Sequence, residues 1–146
     1  MERKDIDRNR INERFAFGDK HLALARKIVQ SSKEEFIMNF ELQVQGERVF
    51  EVLSQILLDV CTHVMAVIKK NNLPSTYSDC MISLGELGVF SIDESRKYAK
   101  LTRMRNFISH NYDVIDAEQV FSGLQQIIVD FPSFREKFFL WLDSLP

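Results

Sequence analysis

The sequence predicts an all-α fold, an up-down bundle of four to five helices, and three observations carry that expectation. Apolar residues make up 45% of the 146 positions and recur at helical spacing over long stretches. Five glycines and three prolines are too few for the many turns of a sandwich. Twelve phenylalanines supply bulky groups for packing between helices. The length suits one domain, taken as residues 1–146.

A first helix is expected from about Ile6 to Val29, where Ile11, Phe15, Leu22, Ala25 and Val29 share a face and Gly18 weakens the middle. Ser32-Lys33-Glu34-Glu35 has the form of a capping box and marks a restart. A long helix follows from about Phe40 to Lys70. Val49, Leu53, Ile56, Val60, Val64 and Val67 form its stripe, widened by Phe50, Leu57, Cys61 and Ile68. That stripe is wide enough for both the core and a subunit interface, and Pro74 ends the segment. Ser78 to Leu87 reads as a short helix stopped at Gly88. Ser91-Ile92-Asp93-Glu94 is a second capping box, opening a helix to about Asn111. Asp116 caps a last helix with Val120, Leu124, Ile127 and Ile128 inside. Pro132 is expected to kink or split it, before a C-terminal aromatic cluster that reads as core.

The formal net charge of −2 weighs against a broad surface for coating nucleic acid, but not against a small local site. No apolar run near bilayer-spanning length and no signal-peptide core is apparent, so the cytoplasm is the expected compartment and no membrane partner is expected. Cys61 and Cys80 fit no metal pattern and read as reduced and buried. His21 and His63 read as structural histidines, His63 packed or capped by a neighbour.

The chemistry concentrates in Arg105-Asn106-Phe107-Ile108-Ser109-His110-Asn111-Tyr112. With Arg105 at zero and about 100° per residue, Asn106 lies near 100°, His110 near 140° and Tyr112 near 340°. One side of the helix then carries a cation, an amide, an imidazole and a phenol. Met104, Phe107 and Ile108 occupy the other. Arginine holds phosphate with a planar fork, and histidine moves protons near neutral pH, so the pair suits phosphodiester chemistry. The surrounding segment is basic: Arg96, Lys97, Lys100, Arg103 and Arg105 stand against Asp93 and Glu94 alone. The plain alternative is a solvated helix face. Arg103 and Tyr98 are further candidates for RNA contact: on the same helical wheel Tyr98 lies near 20°, on the side of Arg105, where it reads first as a dimer or partner contact and second as a ring on which a base stacks.

The Arg-x4-His-x-Tyr pattern, with its helical context from about Phe40 to Leu142, resembles the HEPN nucleases and specifically the HepT-like toxins. The resemblance implies a metal-independent endoribonuclease, the toxin of a type II-like toxin–antitoxin pair. Arg105 would contact the scissile phosphate, Asn106 would assist, and His110 would carry proton transfer. It implies that Tyr112 is the site where a nucleotidyltransferase antitoxin attaches AMP. An unperturbed phenol, with a pKa of about 10, is no nucleophile at neutral pH. It also implies a homodimer within a hetero-oligomer, which would bring two His110 and two Arg105 to one cleft. With no metal-spaced ligand cluster in the motif and no Gly-rich phosphate loop, no cofactor is expected in this chain. ATP and Mg²⁺ are expected only in the partner. The rival reading is a non-catalytic helical module that binds a nucleotide or a partner.

Overall fold

The computed structural model describes residues 2–68, 74–110 and 116–146, and for residues 109 and 110 the backbone only. Among the described residues there are six α-helices, preceded by a 3-10 turn at Arg3–Asp5: α1 (Arg8–Val29), α2 (Lys33–Met38), α3 (Phe40–Ile68), α4 (Tyr77–Glu86), α5 (Ile92–His110) and α6 (Ala117–Ser144). The helical class holds, with one element more than expected. The restart at Ser32 is a separate two-turn helix, whose cap Ser32 accepts the Glu35 N–H at 3.1 Å.

Helix α3 is the axis of the bundle. All five other helices pack against it. Its stripe at Val49, Leu53, Ile56, Val60 and Val64 is buried, and so are Phe50, Leu57 and Cys61. The face the sequence left open for a subunit interface is therefore spent inside the chain, because helices cover it from several sides. The large apolar side chains that α3 leaves exposed are Phe40, at 76%, and Val44, at 48%, both near its start. α3 is also long and apolar enough to cross a membrane, which corrects the expectation that no segment is. Its burial under the other helices accounts for the composition.

α6 runs unbroken through Pro132, which does not split it. Phe131, Phe134 and Phe138 anchor it in the core on either side of the proline, and Phe15 of α1 meets Phe131 edge-on at 5.6 Å. Tertiary packing outweighs the missing hydrogen bond here. Gly18, expected only to weaken α1, is buried at this crossing, where an added Cβ would lie 2.7 Å from the Phe131 ring. His63 accepts the Asp7 N–H at 3.1 Å, so the histidine caps the start of α1.

α4 and α5 form a close antiparallel pair around one turn. Gly88 adopts φ +86°, a conformation open to glycine at little cost, and the Val89 N–H returns to the Leu84 carbonyl at 3.1 Å. Helix contact is tightest at Gly85, where a Cβ would strike the Ser95 hydroxyl and lie 2.9 Å from the Ser95 Cβ. Ser95 is itself buried and bonded to the Ser91 carbonyl, so it has little room to turn away. Gly85→Ala is expected to destabilise the fold by about 1–3 kcal/mol through overpacking. Chemical denaturation checks this, and an unchanged midpoint would show that α5 can slide on α4.

Candidate functional site

α5 carries the candidate residues, and its start is pinned twice. Ser91 accepts the Glu94 N–H at 3.1 Å while Glu94 accepts the Ser91 N–H at 2.9 Å, a complete capping box. Glu94 also pairs with Lys137 of α6. From this anchor the inward arc runs through Ser95, Tyr98, Ala99, Leu101, Thr102 and Ile108, all buried. Arg105 lies one turn beyond Leu101 and two turns beyond Tyr98, so it falls on the arc that faces the fold. The division of α5 into a polar and an apolar side is thus rotated from expectation. Phe107, assigned to the apolar side, is 41% exposed.

Arg105 is half-buried, and one of its terminal nitrogens (Nη1) donates to the Asn106 side-chain oxygen at 3.3 Å. Its Nε is shielded from solvent and has no hydrogen-bond partner among the described residues. A buried donor left open is costly unless something completes it. Asn106 lines a cavity of about 460 Å³ with Thr62 and Met65 of α3 and Thr76, Tyr77 and Cys80 at the start of α4. Arg103 is exposed and reaches the Ser78 hydroxyl at 3.5 Å. The His110 backbone ends α5, its side chain is outside the described residues, and so is Tyr112. Arg105 and Asn106 are thus brought together one turn before His110.

Tyr98 offers no exposed face on which a base could stack. It is 2% exposed, its ring packs edge-on against Phe90 at 4.8 Å and Phe134 at 5.2 Å, and its hydroxyl donates to Ser133 at 3.3 Å. The wheel put it in line with Arg105 correctly, but two turns earlier that line is covered by α6. Cys61 and Cys80 are free and buried as expected. Their proximity across α3 and α4 was not visible in the sequence: burial pushes the Cys61 thiol up, and the neighbouring Cys80 thiol pushes it further the same way. Among the described residues, no group of three or more His, Cys, Asp or Glu side chains is arranged to hold a metal ion.

The sequence also missed a groove of about 880 Å³ between α5 and α6, reaching the first residue of α2. Lys97, Lys100 and Arg103 line one wall, with Phe107 beside them, and Lys33, Ser122 and Gln126 line the other side. The basic bias of α5 was legible, but the wall opposite it was not. Near the groove, Asp130 is only 5% exposed, and burial pushes its carboxyl above the ordinary range. The Gln126 amide, at 3.0 Å from each carboxylate oxygen, and the charge of Lys97 oppose that shift.

The all-helical bundle, with an Arg–Asn pair and a histidine on its penultimate described helix, is of the HEPN type. The chain belongs to the ribonuclease HepT-like family, whose model matches residues 19–138. It is 23% identical over 135 residues to the tRNA nuclease HepT of Aphanizomenon flos-aquae (strain 2012/KM1/D3), covering 92% of this chain and 91% of that one. Its fold matches the Bacillus subtilis cytosolic protein YutE, of unknown function, with a TM-score of 0.82 at 19% identity, over 99% of this chain and 94% of that one. It also matches a tri-AMPylated Shewanella oneidensis HEPN toxin in complex with its MNT antitoxin. The TM-score there is 0.77 at 17% identity, over 89% of this chain and 96% of that one.

The raised Asp130 carboxyl yields a pH prediction. A buried acid whose folded-state pKa lies above its unfolded value takes up its proton earlier in the folded state. Its burial cost is fully present at neutral pH and is relieved as pH falls through the raised value, down to the ordinary one. Asp130→Asn should therefore be no less stable than wild type at neutral pH, and its advantage should shrink on acidification. Denaturation midpoints of both proteins across the acid range test this, and parallel curves would refute it.

Proposed function

We propose that this chain is a metal-independent endoribonuclease toxin, silenced by a nucleotidyltransferase antitoxin that attaches AMP to Tyr112. Membership of the HepT-like family supports the nuclease, as does the likeness to a protein named a tRNA nuclease. The AMPylated toxin bound to an MNT antitoxin, whose fold this chain shares, supports the partner and the modification. The observation that carries the reading is the Arg105–Asn106 pair, held half-buried one turn before His110.

In the proposed reaction the ribose 2′-oxygen attacks the adjacent phosphorus. The 2′-oxygen–phosphorus bond forms and the phosphorus–5′-oxygen bond breaks, leaving a cyclic phosphate and a free 5′-hydroxyl. Arg105 stabilises the charge that develops on the phosphoryl oxygens through its guanidinium. Asn106 holds the guanidinium and bonds the phosphate or His110. One imidazole cannot easily take the 2′ proton and protonate the leaving oxygen at the same moment. A two-fold homodimer supplies the second His110. AMP on Tyr112 adds phosphate close in sequence to Arg105 and His110 and competes with RNA for them.

His110→Ala and Arg105→Ala are each expected to lower RNA cleavage by about a hundredfold or more without changing the circular dichroism spectrum. Undiminished cleavage by a clean His110→Ala preparation would sink the catalytic assignment. The regulatory half has its own readout. Intact mass spectrometry of the chain co-expressed with its neighbouring gene product should show AMP-sized increments that vanish in Tyr112→Phe. Equal masses with and without that partner would leave inhibition to occlusion instead.

A further inference from the structure

Lys97, Lys100, Arg103 and Asn106 follow one another at intervals of three residues. On an α-helix such residues form a single oblique ridge, each step rising about 4.5 Å along the axis. Three of the four are cations, and these three line the α5–α6 groove. The fourth is the amide bonded to Arg105. The ridge thus starts in the groove and winds half-way round the helix, past Arg103 at the Ser78 hydroxyl of α4, to Asn106, which lines the separate cavity against α3 and α4.

The charge of the groove differs in sign from that of the chain. Lys33, Lys97, Lys100 and Arg103 stand against two carboxylates, Asp116 and Glu118, in a protein of net charge −2. Both carboxylates are already engaged. Glu118 pairs with Lys33 at 3.5 Å, and Asp116 caps α6 through the Glu118 N–H at 2.9 Å. Lys97 and Lys100 are exposed on the opposite wall. Exposed like charges on one ridge repel each other, and a polyanion laid along them relieves that repulsion and releases its counterions.

We infer that the α5–α6 groove is the track for the sugar–phosphate backbone of RNA, with phosphates on Lys97, Lys100 and Arg103 leading the scissile phosphate to Asn106 and Arg105. This deepens the nuclease reading and rests on it for the identity of the polyanion. The track binds without cutting, since none of its three cations is placed in the chemistry. Its contacts are to phosphate, so it lends affinity and register rather than base specificity.

The test measures binding of a fluorescently labelled tRNA pool to the full chain carrying His110→Ala, by anisotropy across a series of salt concentrations. Adding Lys97→Ala and Lys100→Ala should weaken binding about tenfold at moderate salt. The same pair should flatten the log–log salt slope by about 0.7 to 0.9 for each cation lost. Lys97→Arg with Lys100→Arg should restore both, while Lys20→Ala with Lys27→Ala, on the exposed side of α1, should change neither. Unchanged affinity and slope in the Lys97/Lys100 pair would overturn the track and leave the groove to a protein partner. Cleavage by the otherwise native chain separates the two claims. His110-dependent cutting with normal binding by the groove variants defeats the track alone. Groove-dependent binding without any cutting defeats the nuclease alone, and neither binding nor cutting defeats both.

Discussion

The burial of α3 governs the rest of the architecture. A helix of 29 residues with apolar side chains around much of its circumference must be covered from several directions, and the five other helices do so. At about 25 cal/mol per Å², that burial is the main force holding the bundle together. It also fixes what each neighbouring helix has left to offer. α1 and α6 meet on one side through Phe15, Phe131 and Phe134, while α4 and α5 close another. α5 is the least apolar of the long helices that cover α3. It gives one arc to the core and leaves its cations outside.

Much of this was legible in the sequence because helical periodicity and capping chemistry are local. The Ser91/Glu94 box, the Ser32 and Asp116 caps and the stop at Gly88 each depend on a few adjacent residues, and each appears where the pattern placed it. The errors share a different origin. Whether Pro132 breaks α6 depends on whether core contacts on both sides outweigh a lost hydrogen bond. Whether the α3 stripe is free for a second subunit depends on how many helices arrive to cover it. Neither quantity can be read from the segment itself.

The candidate site shows the same boundary at finer scale. The alignment of Tyr98 with Arg105 follows from seven residues of helix, but one end of that line is sealed by Phe90 and Phe134 and the other opens onto the end of the helix. A wheel has no axial coordinate for cover, so it gave both residues one environment. The reverse happened with Phe107, placed with the apolar set and yet forming part of the groove wall. The groove itself requires α6 and Lys33 to come within reach of α5, which is tertiary information.

The position of the Arg–Asn–His group at the very end of α5 has a physical rationale. The last turn of a helix leaves carbonyl groups without intrahelical partners, and the macrodipole makes that end favourable for cations. Arg103 and Arg105 therefore lie in the C-terminal half of α5, nearer the end that tolerates positive charge, while Lys97 and Lys100 lie before its midpoint. Asp93 and Glu94 occupy the opposite end, where the dipole favours anions. This gradient lets a short run of like charges persist next to a buried face without distorting the helix. Gly85 and Ser95 hold the start of α5 against α4, which fixes the base from which Arg105 is placed. A fixed base that carries Arg105 near the end of the helix suits holding a phosphodiester in one geometry, since a guanidinium fork discriminates by direction as well as by charge.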